Sequence, residues 1–168
     1  MNVEHPVAIV TGATSGIGRA AAEKLAGEGW RVAAVGRNED VLVELARLSD
    51  SLPGTLVGHP VDLRESARVE QLVDDVADNF GQINAVVNAA GIIASGTGET
   101  TELTEFDEMM DINVRAVFAL SHFAIPQLKK QAPNASIVNV SSVCGLRPFT
   151  GILAYSVSKA AVDHMTRC

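Results

Sequence analysis

The stretch that decides the fold is TGATSGIGR, residues 11–19. It places glycines at Gly12, Gly16 and Gly18, between a strand-like run, PVAIVTG, and a helix-like run, GIGRAAAEKLAGEG. A strand that turns directly into a helix needs residues without a Cβ where the chain reverses and where another group approaches the backbone. The helix N-terminus that follows attracts a phosphate through its free N–H groups and partial positive charge. The stretch therefore predicts a nucleotide-binding βα turn, spaced G-x-x-x-G-x-G rather than as a Lys-containing phosphate loop.

Strand-like and helix-like segments alternate along the rest of the chain. The four further strand-like runs are RVAAVGR (31–37), GTLVGHPVD (54–62), INAVVNAAG (83–91) and ASIVNVSS (135–142). They are short, apolar and largely β-branched, which is typical of strands that helices cover on both faces. The alternation predicts an α/β fold with a doubly wound parallel sheet of Rossmann type, formed by a single domain over residues 1–168.

Capping residues predict where two of the helices start. Asn38 precedes EDVLVELARLSDS, whose first two residues are acidic, as a helix N-terminus favours. Thr104, with Asp107 three residues later, predicts the start of a long helix that runs to about Gln131.

Composition and charge narrow the class of protein. The 168 residues carry a formal net charge of −7, which argues against nucleic-acid binding because phosphate backbones need a basic face. No apolar run is long enough for a membrane span, and the first residues lack the basic segment of a signal peptide. The two cysteines, Cys144 and Cys168, cannot form a disulfide framework, and no metal-ligand spacing is present, so no metal is expected. A cytoplasmic protein is the simplest interpretation.

Polar residues in the last third of the chain have a chemical pattern of their own. Tyr155 and Lys159 are four positions apart, so they share one face of a helix. An ammonium held near a phenol favours the phenolate, which lets the phenol give and take a proton. Ser141 and Ser142 end the fifth strand-like run, with side chains on opposite faces of it. Asn113 lies amid apolar helix positions, where a polar group needs a partner or a purpose.

Together these motifs resemble the short-chain dehydrogenase/reductase family, in its standard-length branch. The resemblance rests on TGATSGIG, on NAAG at residues 88–91 and on Tyr155-x-x-x-Lys159, which occur in the family's order along the chain. It implies an NAD(P)-dependent oxidoreductase that interconverts a small-molecule carbonyl and a secondary alcohol by hydride transfer, with Tyr155 as the acid/base. By the same resemblance Lys159 would also bind the nicotinamide ribose, Ser142 would hydrogen-bond the substrate oxygen, and Asn113 would hold a water chain behind the lysine.

The resemblance also implies which residues bind the cofactor. Gly36 stands where NAD-type members have an aspartate, and Arg37 follows it, which favours NADP(H) because arginine accepts a 2′-phosphate. Glu39 and Asp40 argue for NAD(H), but a helix start also accounts for them. Asp62 occupies the position with which the family holds the adenine amino group. The implied cofactor contacts are Gly12, Thr14, Ser15, Gly16, Ile17, Gly18, Arg37, Asp62, Leu63, Asn88, Ala89, Ala90, Gly91, Tyr155 and Lys159.

The chain departs from the family pattern in two places. Ala89 replaces a commoner asparagine, a mild change because a small residue still allows the cofactor to approach closely. The chain also ends at Cys168, within the helix that carries Tyr155, so the last strands of the family's sheet are absent and the fifth strand is expected to be an apolar edge. We therefore expect a fragment of a longer protein that forms a homo-oligomer, a dimer or a tetramer.

Two other functions remain open at this point. If the chain does end at residue 168, a catalytically inactive nucleotide-binding or interaction module is the alternative. A family member that uses the nicotinamide for another transformation, such as epimerisation, is the third. The substrate is not predicted, because the loop after NAAG, IIASGTGETTE (92–102), is expected to be mobile and carries no recognisable pattern.

Overall fold

In the computed structural model, which describes residues 5–168, five parallel strands form one sheet in the order β3-β2-β1-β4-β5. The strands are β1 (Val7–Thr11), β2 (Arg31–Gly36), β3 (Thr55–Pro60), β4 (Ala85–Asn88) and β5 (Ser136–Asn139). The helices are α1 (Gly16–Gly27), α2 (Glu39–Leu48), α3 (Ser66–Phe80), α4 (Leu103–Met110), α5 (Ala116–Lys129), α6 (Val143–Leu146) and α7 (Leu153–Arg167). This arrangement confirms the predicted α/β class with a doubly wound parallel sheet. Across residues 5–168, each helix is too short or too polar to cross a bilayer.

The strand order reverses at β1. The chain lays down β1, β2 and β3 in one direction and then places β4 on the other side of β1. Thr11 aligns with Val35 of β2, and Val10 aligns with Val87 of β4. Ligands of doubly wound sheets bind at such a reversal, beyond the carboxyl ends of the strands. The glycine turn after β1 and the NAAG segment after β4 therefore meet at one crevice.

The core consists of two apolar layers, one on each face of the sheet. Alternate residues of β1 belong to different layers, as the period of a strand requires. Val7 and Ile9 pack with residues of α3 and α5, whereas Ala8 and Val10 pack with residues of α1 and α2. Because both faces of β1 are covered, the strand and the turn that follows it form a rigid base for the crevice.

The structure confirms one predicted helix cap and corrects the other. The Asn38 side chain accepts a hydrogen bond from Val41 N at 3.2 Å and caps α2. Thr104 does not cap α4, whose N-cap is Glu102, and the side chains of Glu102 and Glu105 each accept from the other's backbone N–H. The prediction relied on the preference of threonine for the N-cap position. It was wrong because a reciprocal pair of glutamates accepts hydrogen bonds from free N–H groups at the start of the helix instead.

The helix predicted to be continuous to Gln131 is in fact interrupted. A π-helical turn, Asp111–Arg115, joins α4 to α5, and α5 ends at Lys129. Such turns insert an extra residue into a helix and are frequent at functional sites. The turn contains Asn113 and displaces it from the regular helical register.

Candidate active site

The glycine turn brings the start of α1 against the ends of β1 and β4. Gly12 and Gly16 have φ values of +66° and +52°, in the left-handed region that glycine adopts without strain. A Cβ at Gly12 would lie 2.9 Å from the Cα of Ala90, and a Cβ at Gly18 would overlap the backbone of Gly12. Ser15 is the N-cap of α1, yet its side chain makes no capping hydrogen bond. The turn therefore presents a helix N-terminus whose cap hydroxyl is available to a ligand, which fits a pyrophosphate.

A crevice opens beyond the carboxyl ends of the strands. The predicted cofactor contacts that line it are Gly12, Thr14, Ser15, Arg37, Asp62, Leu63, Ala90 and Gly91. Gly16, Ile17 and Gly18 form the adjacent first turn of α1. Ile92 and Ile112 also line the crevice and were not predicted. Ile92 directly follows NAAG and could have been included on that ground, whereas the sequence carries no signal that the π turn brings Ile112 there.

The NAAG segment is held by polar contacts from β1 and β5. Thr11 Oγ1 accepts hydrogen bonds from the backbone N–H groups of Ala89 and Ala90, at 3.1 and 3.2 Å. Asn88 is buried, and its Nδ2 donates to Asn139 Oδ1 at 2.8 Å. Asn88 and Ala89 thus shape the wall of the crevice rather than line it, and Asn88 ties β4 to β5.

Charged groups cluster at the end of the crevice beyond β2 and β3. Hydrogen bonds from the side chain and the backbone of Arg64 lower the pKa of Asp62 to about 2, and the nearby charge of Arg37 adds to the effect. Arg37 itself makes no salt bridge with any residue of the part of the chain that the structure describes. A Cβ at Gly36 would lie 2.5 Å from Thr14 Cγ2, so a side chain at this position would require Thr14 to move.

Asn113 is fully buried and bridges two segments. Its Oδ1 accepts from Ile92 N at 2.8 Å, and its Nδ2 donates to Ile92 O at 2.9 Å and to Ser158 Oγ at 3.0 Å. Ser158 in turn donates to Tyr155 O at 2.8 Å. The asparagine therefore fixes the segment after β4 relative to α7, the helix that carries Tyr155 and Lys159.

Lys159 and Tyr155, also predicted to contact the cofactor, lie together on α7 and are not among the described residues that line the crevice. Lys159 is 6% exposed, and its Nζ donates to Val140 O at 2.8 Å. Burial lowers the pKa of the Lys159 ammonium, and the charge of Asp163 raises it by a smaller amount. Lys159 Nζ is 5.8 Å from the centre of the Tyr155 ring. A Cβ at Gly91 would lie 3.2 Å from Asn113 Oδ1 and 3.6 Å from Lys159 Nζ, so these groups surround a residue that lines the crevice.

Ser142 reaches the same region through a short helix that the sequence did not predict. It is the N-cap of α6, and its Oγ accepts from Cys144 N at 3.2 Å. Gly145 of α6 packs on α7, since a Cβ there would lie 2.9 Å from Lys159 O. No hydrogen bond joins Ser142 to Tyr155 within residues 5–168. The donor capacity of the Ser142 hydroxyl is therefore open to a ligand.

The loop after NAAG, which was expected to be mobile, is tied to α7 at one point. Gly96 N donates to Gly151 O at 2.7 Å, and Leu153 N donates to Gly96 O at 3.0 Å. The two segments form a parallel bridge between Gly96 and Ile152, just before Tyr155. A bridge of one residue leaves no periodic pattern, so it could not be predicted from the sequence.

Known proteins with related sequences share this architecture. The chain matches the short chain dehydrogenase family over residues 6–168. It is 34% identical over 163 residues to sulfoacetaldehyde reductase 2 of Chromohalobacter salexigens, covering 95% of this chain. It is 33% identical over 167 residues to the 3-oxoacyl-[acyl-carrier-protein] reductase FabG of Thermotoga maritima, covering 99% of this chain. The solved structure of a short chain dehydrogenase/reductase from Burkholderia phymatum in complex with NAD superposes with a TM-score of 0.92 at 29% identity, covering 99% of this chain.

A doubly wound sheet with a glycine-rich βα turn, and a tyrosine–lysine pair beside its crevice, defines a class of dinucleotide-binding proteins. Within that class, the chain belongs to the short-chain dehydrogenase/reductase family. The chain spans 64% of the length of the Chromohalobacter reductase, 68% of the Thermotoga reductase and 59% of the Burkholderia protein.

Proposed function

We propose that this chain carries the coenzyme-binding and catalytic residues of an NADP(H)-dependent oxidoreductase that interconverts a carbonyl and a secondary alcohol. The observation that carries the proposal is the position of Asn113 and Lys159 beside Gly91, which lines the same crevice as the glycine turn, with Tyr155 next to Lys159 on α7. The names of the Chromohalobacter and Thermotoga relatives, both reductases, support the reaction class.

The proposed roles follow from the chemistry of each side chain. When bound, NADPH supplies the hydride for the carbonyl carbon. Tyr155 donates its phenolic proton to the carbonyl oxygen as negative charge develops there. The Lys159 ammonium stabilises the phenolate that remains, and Ser142 donates a hydrogen bond to the same substrate oxygen. Asn113 keeps α7 and the NAAG segment in register through Ile92 and Ser158, and it holds the water chain behind the lysine.

The preference for NADP(H) is supported by the charged end of the crevice. A 2′-phosphate requires a cation, and Arg37 lines the crevice with no salt bridge inside residues 5–168. A carboxylate that would repel the phosphate is absent at residue 36, where Thr14 occupies the space that a side chain would need. The Burkholderia structure is a complex with NAD, so coenzyme preference is measured directly, by titrating the protein with NADPH and with NADH.

The proposal is tested with Tyr155→Phe. We expect the parent protein to bind NADPH, to bind NADH more weakly, and to oxidise NADPH in the presence of a small aldehyde or ketone. The variant should lose turnover by about a factor of 10³, because the proton donor is gone, while NADPH affinity is nearly unchanged. Isothermal titration measures affinity, and the absorbance of NADPH measures turnover.

Three results would count against it. A parent protein that binds neither coenzyme contradicts the whole proposal. Turnover that survives in Tyr155→Phe contradicts the role of the phenol. NADPH binding without turnover of any carbonyl in a broad panel would instead support an inactive nucleotide-binding module.

The proposal also covers the substrate class, the cellular location and the oligomeric state of the protein. The substrate is a small-molecule carbonyl or alcohol, and the protein works in the cytoplasm as a homo-oligomer. Exposed apolar side chains on α5, Phe118 and Ile125, support an interface on that helix. Light scattering of the full-length protein, with Phe118→Arg as the variant, tests the oligomer: a monomeric parent contradicts it.

A further inference from the structure

Arg64, which has no role in the proposed function, donates hydrogen bonds to the carboxylate of Asp62. Its backbone N–H and its Nε both lie 3.0 Å from Asp62 Oδ1, and its Nη2 contacts Oδ2. We propose that Arg64 is a positioning residue that fixes the Asp62 carboxylate for the adenine amino group, so that this pair sets the purine specificity of the coenzyme site. The inference rests on the proposed function, because it concerns the coenzyme bound at the same crevice.

The Asp62 carboxylate can accept a hydrogen bond from one donor besides the N–H groups of Arg64. An ionised carboxylate accepts about four hydrogen bonds. Three N–H groups of Arg64 take up most of that capacity, and one of them, Nε–H, is shared between Oδ1 at 3.0 Å and Oδ2 at 3.1 Å. Asp62 lines the crevice, while Arg64 is not among the lining residues of the described chain, so the guanidinium holds the carboxylate from outside. The acceptor capacity that remains matches the single hydrogen bond that an exocyclic amino group makes to a carboxylate oxygen.

Arg64 is itself held in place, unlike an ordinary surface arginine. Its carbonyl oxygen accepts from Arg115 Nη1 at 3.1 Å, and Arg115 Nη2 donates to Ser66 Oγ at 3.0 Å. In the Arg64 side chain, Nη1 lies 3.6 Å from Glu108 Oε1. The turn between β3 and α3 is thus braced against α4 and the π turn, which gives the Asp62–Arg64 pair a fixed orientation.

The chemistry of the purine makes the inference measurable. The 6-amino group of adenine donates a hydrogen bond, whereas the 6-oxo group of hypoxanthine only accepts one. A fixed carboxylate, which only accepts, therefore favours the adenine coenzyme and disfavours its hypoxanthine analogue. A carboxylate that is free to rotate loses part of this discrimination.

The experiment titrates the protein with NADPH and with reduced nicotinamide hypoxanthine dinucleotide phosphate, by calorimetry. We expect the parent to prefer NADPH by about tenfold or more, as for one hydrogen bond to a charged group. Arg64→Gln should weaken NADPH binding by about fivefold and leave the affinity for the analogue nearly unchanged. Arg64→Lys, which keeps the charge but not the forked geometry, should lie between the two. Arg68→Gln, at an exposed arginine in the first turn of α3, is the matched control and should behave like the parent.

Each outcome separates this inference from the proposed function. An unfolded Arg64→Gln is detected by its thermal melt, and Arg64→Lys then carries the comparison. Equal loss of both coenzymes in the Arg64 variants, or an unchanged preference, overturns the inference and leaves the proposed function standing. If the parent binds neither coenzyme, both the proposed function and this inference fail.

Discussion

Strands β1 and β5 look alike in sequence but lie in different surroundings. Both are short, parallel and rich in β-branched residues. Every residue of β1 is buried, because β1 pairs with β2 on one side and with β4 on the other. Among residues 5–168, β5 pairs only with β4, and its residues alternate between exposed and half-buried. The position of a strand in the sheet, rather than its composition, decides how much a substitution in it costs.

The two ends of the crevice also differ in the contacts that maintain their geometry. At the glycine turn, the geometry comes from backbone segments that touch where Gly12 and Gly18 lack a Cβ. Beside α7, it comes from polar side chains, with Asn113 bonded to Ile92 and Lys159 bonded to Val140 O. Adding an atom disrupts the first arrangement by steric overlap, whereas removing a donor or acceptor disrupts the second by leaving a buried partner unsatisfied.

The largest effect on stability is expected for Gly18→Ala at the turn. The new Cβ would overlap the backbone of Gly12, which cannot move without displacing β1. We expect a loss of about 3 kcal/mol in the free energy of unfolding, together with loss of NADPH binding. Urea denaturation and calorimetric titration measure the two quantities.

Gly27→Ala in the same helix is the matched control for the turn. Gly27 is exposed, and a Cβ there would meet no atom within 4 Å. Because alanine has the higher helix propensity, this variant should gain about 0.5–1 kcal/mol. If Gly18→Ala and Gly27→Ala changed stability by the same amount, contact with the backbone of Gly12 would not be the reason that residue 18 must be glycine.

A pair of valine substitutions in adjacent strands tests the difference between central and edge strands. Val86 of β4 is 0% exposed, and Val138 of β5 is 50% exposed. Threonine keeps the β-branched shape, so Val→Thr changes polarity without changing strand propensity. We expect Val86→Thr to cost about 2 kcal/mol, because its hydroxyl is buried without a partner, and Val138→Thr to cost less than about 0.5 kcal/mol. Equal costs would mean that β5 is covered in solution, for example by another copy of the chain or by a further segment.

Much of the fold could be predicted because it follows from local patterns. Hydrophobic periodicity located all five strands, and the preference of Asn38 for the N-cap position located the start of α2. The π turn, the cap at Glu102 and the bridge at Gly96 could not be predicted, since they depend on contacts between segments distant in the sequence. Such contacts leave no period and no composition bias in the sequence.

The candidate site likewise contains residues that local patterns predict and residues that only tertiary packing brings together. The glycine turn and the Tyr155–Lys159 spacing are local, so both could be predicted from the sequence. In the structure the turn lines the crevice, and Lys159 lies beside Gly91 with Tyr155 next to it. Ile112 and Ser158 escaped prediction, because each reaches the site only after the helices have packed. The roles given to the site residues in binding and catalysis stay predictions for the experiments above.

The smallest effect is expected at the other edge of the sheet, on β3. His59 is half-buried and its Nε2 has no hydrogen-bond partner among the described residues. Burial lowers the pKa of His59, and the charge of Asp75 raises it by a smaller amount. The unfolded chain therefore binds the proton more readily than the folded one, so stability is lost as the pH falls below the ordinary histidine value of about 6.5. In His59→Leu this loss is removed, and the stability of the variant relative to the parent should rise as the pH falls from 7.5 to 5, as measured by urea denaturation at each pH. His164→Leu, at an exposed position of α7, is the control, and a pH-independent difference between His59→Leu and the parent would show that burial of the imidazole does not shift its titration.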